Sequence, residues 1–125
     1  MVATPRSTNI IDTHDVGKAM GELISAVSGI VAFAGGGQGS ATLITRTFNR
    51  VTTCATIADS VKLPLARPGA QVLIANRGAA SLNVFPQTGE AINALANNTA
   101  LALAVNVIAI YSCALSGKWE AGTLA

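Results

Sequence analysis

Charge is scarce in this chain. Only 11% of its 125 residues are charged, against roughly 25% in an average soluble protein, so its polar surface has to come from Ser, Thr, Asn, Gln and Gly. A chain of that kind is expected to cover much of its surface with neighbouring protein, of its own kind or another. Eight basic residues against six acidic leave a formal charge of +2, too small an excess for a nucleic-acid partner. Nor does any run combine dense Arg and Lys with regularly spaced aromatics, as a nucleic-acid groove would.

Aromatic side chains are few as well: Phe33, Phe48, Phe85, Tyr111 and Trp119. A sugar-binding face stacks several exposed rings, and this set is too small to suggest one. The two cysteines, Cys54 and Cys113, set no disulfide or metal framework, and the one imidazole, His14, stands between Thr13 and Asp15 with no partner for metal binding or proton transfer. The opening residues MVATPRSTN carry no basic stretch leading into an apolar one. We therefore expect cytoplasmic synthesis and two buried free thiols. The apolar stretch from Val16 to Ala34 contains Lys18, Glu22 and several glycines, which makes it a poor membrane span.

Chemistry is equally thin. The segment Gly35-Gly36-Gly37-Gln38-Gly39-Ser40 lacks the Lys-Ser/Thr of a phosphate loop and leads into β-prone sequence instead of a helix. Among the carboxylates Asp12, Asp15, Glu22, Asp59, Glu90 and Glu120, the one pair worth testing for glycosidase geometry, about 5 to 9.5 Å apart, is Asp59 with Glu90. Acids at turn edges are more simply turn caps. No Gly-x-Ser-x-Gly elbow occurs. The expectation is a protein that is not an enzyme, with no catalytic, cofactor-binding or metal-binding residue and no cofactor.

One domain fits this length, with an appended arm at most. Residues 1–12 resemble an arm or tail. From Asp15 to Phe33 the apolar positions recur near the helical period, yet Gly17, Gly21 and Gly29 oppose a helix, leaving a short helix and an irregular arm segment both open. The Gly35–Gly39 loop is expected to be a hinge, so that residues 1–40 form the arm and 41–125 the β domain. Beyond residue 40 short β-prone runs follow one another: Ala41 to Thr47, Arg50 to Ile57, Val61 to Leu63, Ala70 to Ala75, Leu82 to Val84, Ile92 to Leu95 and Leu101 to Cys113, with Trp119 after a last turn. The apolar parity switches near Asn106, which implies a bulge or a turn there. In VFPQTGEAIN, Val84 and Ile92 are expected core residues on paired strands around a Gln87-Thr88-Gly89 turn, and Pro86 ends the ladder. Such a series predicts an all-β protein, a small antiparallel β-sandwich or jelly-roll-like barrel, with an N-terminal arm or short helix.

The order from Asn49 to Ala121 resembles a small β-rich module of virion structural proteins of tailed bacteriophages. The features that carry the likeness are Asp59-Ser60-Val61-Lys62-Leu63-Pro64, Asn76-x-Gly78, Asn83-Val84-Phe85-Pro86 with Gly89 and Ala91-Ile92-Asn93, and Tyr111-x-Cys113 followed by Gly117-x-Trp119. Where that family usually has a Gly-Lys-Thr-like turn before the last strand, this chain has Val105-Asn106-Val107. The resemblance implies a capsid decoration or cement protein that binds the major capsid protein on the virion surface; together with the low charge it points to a homo-oligomer (dimer or trimer), and the charge pattern and the poor span leave no nucleic-acid or membrane partner expected. Its rival is a tail or head fibre module that touches a host surface glycan. On the decoration reading Arg46, Arg50, Arg67 and Arg77 are expected to steer the chain to an acidic patch on the major capsid protein, and Phe85 or Glu90 to touch a neighbouring virion subunit; on the fibre reading the hairpin tips make the contact.

Overall fold

The computed structural model describes residues 25–124, and these form strands and turns with no helix. The all-β expectation therefore holds. Among the described residues there are ten strands: β1 (Ala26–Val31), β2 (Thr42–Leu43), β3 (Phe48–Thr53), β4 (Ser60–Lys62), β5 (Gln71–Asn76), β6 (Leu82–Phe85), β7 (Ala91–Ile92), β8 (Leu101–Leu103), β9 (Ile108–Leu115) and β10 (Lys118–Leu124). They make a six-stranded sheet in the order β1-β3-β5-β9-β10-β7 and a four-stranded sheet in the order β2-β4-β6-β8.

The pairing differs from the antiparallel sandwich expected. β1 with β3, β3 with β5, β2 with β4 and β4 with β6 are all parallel. Over residues 26–85 each strand of the large sheet hands the chain to a strand of the small sheet and then back, so the first half of the fold is a stack of three coils. The coils begin at residues 26, 48 and 71, thus 22 and 23 residues apart. Turns that were expected to reverse a strand onto its neighbour instead carry the chain between sheets. In this way Val84 and Ile92 are both fully buried but belong to different sheets and do not pair. The stack is closed by antiparallel strands: β9 on β5, β10 on β9 and β8 on β6. At Asn106 (φ 65°) the expected change of parity is a turn that sends β8 and β9 to different sheets, a conformation Asn tolerates better than most residues.

The sequence upstream of residue 40 also departs from expectation. Residues 15–24 lie outside the described ones, and residues 26–31 are strand, not helix. Gly29 (φ 87°) sits where the β1–β3 register slips, and a left-handed glycine is the usual device for such a bulge. The expected hinge at Gly35–Gly39 is the turn within the first coil. It is tied down at both ends: the Gly35 N–H donates to Asp59 Oδ1 at 3.1 Å, and Gln38 Nε2 donates to the Pro86 carbonyl at 2.7 Å.

One core fills the space between the sheets. Val51, Val72, Ile74, Ala109, Tyr111, Cys113 and Trp119 come from the large sheet and Val61, Leu82, Val84 and Leu103 from the small one. Cys54 and Cys113 are free and buried. Asn76, fully buried at the end of β5, stitches the turn after β5 to β8: its Nδ2 donates to the Ala80 and Leu103 carbonyls, both at 2.9 Å, and its Oδ1 accepts from the Gly78 N–H at 3.0 Å. Gly78 passes so close to Cys54 that an added Cβ would lie 2.6 Å from the Cys54 backbone nitrogen.

Candidate interaction surface

The acids are placed first by their hydrogen bonds. Asp59 sits in the turn between β3 and β4, where its carboxylate accepts from the N–H groups of Gly35, Ala55 and Thr56 and from the Thr56 hydroxyl, at 2.8 to 3.2 Å. The Thr56 hydroxyl, followed by these backbone donors, holds the carboxyl below its ordinary pKa. Burial, with the Asp59 charge beside it, pushes the nearby Cys54 thiol up, so this cysteine stays a thiol near neutral pH. Glu90 lies at the opposite flank, between β6 and β7, and both its carboxylate oxygens accept from the Ala66 N–H, at 3.1 and 3.2 Å. Asp59 and Glu90 therefore cap turns on opposite flanks of the body, each serving its own chain's backbone. Burial likewise raises Tyr111 above the ordinary phenol range.

That leaves the surface electropositive. Among the described residues the acids are Asp59, Glu90 and Glu120, and only Glu120 is exposed. Arg46, Arg50, Arg67 and Arg77 are all exposed, but they do not form one cluster. Arg46 and Arg67 precede β3 and β5 on one flank, while Arg77 follows β5 on the other, roughly 20 Å away at strand rise. Arg50 lies on the outer face of the large sheet, where its guanidinium donates to the Ser28 hydroxyl at 3.1 Å. Among the described residues no three His, Cys, Asp or Glu side chains gather as a metal site.

Two exposed apolar areas accompany these cations. On the outer face of the small sheet Leu43, Lys62 and Phe85 form one cross-strand row, with Leu43 half exposed at 50% and Phe85 partly covered. On the flank that holds Arg67, the Gly117 N–H donates to the Ala66 carbonyl and the Gly69 N–H to that of Cys113. These bonds bring the exposed Leu65 and Leu115 to the same flank as the arginine. The leucines at 43, 65 and 115 were not singled out in the sequence, because isolated exposed leucines are ordinary and only the pairing register shows which neighbours they have.

Comparison of the chain with protein-family models, curated proteins and solved structures returned no match.

Proposed function

We propose that this chain is a non-enzymatic structural protein of a phage virion, a capsid decoration or cement protein that binds the major capsid protein shell and stabilises it. The observation that supports this best is the character of the described surface. Its cations lie beside exposed apolar side chains, and two of its three described acids are turned into the fold. A surface of that kind suits an acidic protein partner, with apolar contacts supplying affinity and the arginines steering the approach. The row Leu43–Lys62–Phe85 and the flank of Leu65, Arg67 and Leu115 are the contact areas. Burying one such large apolar side chain contributes about 1.5 to 3 kcal/mol, so a few per copy, repeated over a symmetric shell, suffice for stable occupancy.

The coil stack fits the task mechanically, since parallel pairing ties residues 26 to 85 together across three coils. Glu90 acts within the fold by holding the 63–70 turn that presents Leu65 and Arg67. The test is co-sedimentation of the full chain with undecorated capsids. Phe85→Ser and Arg67→Glu should each lower occupancy at least about tenfold, the loss expected for one buried apolar or charged contact. Unchanged occupancy in both would remove this surface from the proposal, and glycan binding without capsid binding would favour the fibre reading.

A further inference from the structure

The outer face of the six-stranded sheet carries a pattern that the capsid contacts leave unused. Register places Ala26, Phe48, Leu73, Ile110 and Gly122 in one row across β1, β3, β5, β9 and β10. The next row is Ser28, Arg50, Ala75, Ile108 and Leu124. On the other side lie Gln71, Ser112 and Glu120, with the Gln71 amide donating to the Ser112 hydroxyl at 3.2 Å, and Arg46 stands two residues ahead of Phe48 at the far end of that polar row. Alternation assigns the strand residues among these to the outer face, because Val51, Val72, Ile74, Ala109, Tyr111 and Trp119 fill the core; Ala75 is covered there, at 2% exposed, and Arg46 is exposed in the bend before β3. Phe48 and Leu124 are 39% and 48% exposed.

We propose that this face is a homodimer interface, in which a second copy packs its own six-stranded sheet on it about a two-fold axis that runs along the strands between β5 and β9. That axis passes through the middle of the strand order, and each row then meets itself in reverse. Phe48 of one copy comes over Gly122 of the other, Leu73 over Ile110, Arg50 over Leu124, and Ile108 over the covered Ala75, so a large side chain is seated on a small one at Phe48–Gly122 and the apolar stem of Arg50 lies along a leucine. In the polar row Gln71 meets Ser112, and Arg46 meets Glu120, the one exposed acid among the described residues. Self-complementarity of size and charge under a single operation is what an isologous interface requires. A hollow of about 330 Å³ beside Phe48 and Arg50, lined also by Ala26, Val27 and Ser28, gives the edge of the interface room to adjust.

The area sets the strength. Five strands at about 4.8 Å spacing and six residues at about 3.3 Å rise give a face of roughly 24 by 20 Å. Two such faces bury on the order of 1,000 Å², the lower limit for a specific interface, so the dimer is expected to dissociate in the micromolar range. The proposal does not depend on the capsid reading, although a dimer whose small sheets point outward would make each particle contact bivalent.

Sedimentation equilibrium of the full chain across the micromolar range is the experiment. Wild type should pass from one to two copies. Gly122→Leu should abolish the transition by filling the seat of Phe48, while its melting temperature stays at the wild-type monomer's. That position has no atom within 4 Å of an added Cβ and no positive φ. Glu120→Arg should weaken dimerisation at least about fivefold, and Arg46→Glu with Glu120→Arg should restore it, in line with a rim ion pair of about 1 kcal/mol. A monomer at every concentration, a limiting mass of three copies, an unaffected Gly122→Leu variant, or a charge swap that fails to recover would each overturn the proposal.

Discussion

Replacement of Asn76 probes how the third coil is fastened to β8, the strand that closes the small sheet. Asn76→Ala removes three hydrogen bonds inside the body and leaves the Gly78 N–H and the Ala80 and Leu103 carbonyls short of a partner. At about 1 kcal/mol for each net hydrogen bond, with a further contribution from the cavity, the loss is about 3 to 4 kcal/mol. That is a large part of the roughly 5 to 15 kcal/mol that holds a domain together, and in a domain of about 100 residues it lowers Tm by about 15 °C or more. Asn76→Asp separates hydrogen bonding from packing. It keeps the acceptor for Gly78 but turns a second acceptor oxygen toward the Ala80 and Leu103 carbonyls. Burial and those carbonyls raise the folded pKa of the new carboxyl above its unfolded value of about 3.9. Its cost is thus greatest at neutral pH and is relieved as pH falls through the folded value. Urea unfolding followed by the fluorescence of Trp119, the single and fully buried tryptophan, measures both variants. Asn76→Ala within about 1 kcal/mol of wild type, or an Asn76→Asp variant with the same deficit at pH 5 and pH 7.5, would refute the stitching role.

Three further outcomes follow from individual contacts. Gly78→Ala drives a methyl into the Cys54 backbone, which cannot yield as a flexible side chain would, and should cost about 2 kcal/mol or more in the same urea assay. Ser60 buries a hydroxyl without a partner, so Ser60→Ala should leave stability unchanged or raise it by up to about 1 kcal/mol; a clear loss would reveal a hydrogen bond there. Asp59 has a depressed folded pKa, so its contribution is present above its unfolded value of about 3.9 and fades as pH falls through the folded value. Wild type should therefore lose stability below about pH 4 more steeply than Asp59→Asn, as thermal melts from pH 2 to pH 7 would show.

Much of the local structure was legible in the sequence, and its pairing was not. Alternation located β5 and β6, the change of parity at Asn106 located a turn, and the burial of Val84 and Ile92 followed from side-chain type. Alternation is blind to whether the next strand runs parallel or antiparallel, so turns such as Gln87-Thr88-Gly89 looked like reversals when they are crossings between sheets. β1 was missed for a specific reason. Gly29 inserts a bulge that breaks the alternation of Ala26–Val31, and the surviving spacing of Val27, Ile30 and Val31 imitates a helical period. The 22- and 23-residue coil repeat is carried by geometry more than by sequence identity. Asp59 and Glu90 were recognisable as turn acids, yet that Glu90 holds the turn before β5 depends on Ala66, distant in sequence. The apolar outer row was invisible for the same reason: Phe48, Leu73, Ile110 and Gly122 become neighbours only through strand register.

The central claim is that this chain sits on a capsid shell. Cryo-electron microscopy of particles carrying the chain with a bound label tests it directly. A decoration or cement role requires density at regular, symmetry-related positions over the whole shell, whereas label confined to the tail or fibres, or absent from the particle, contradicts it.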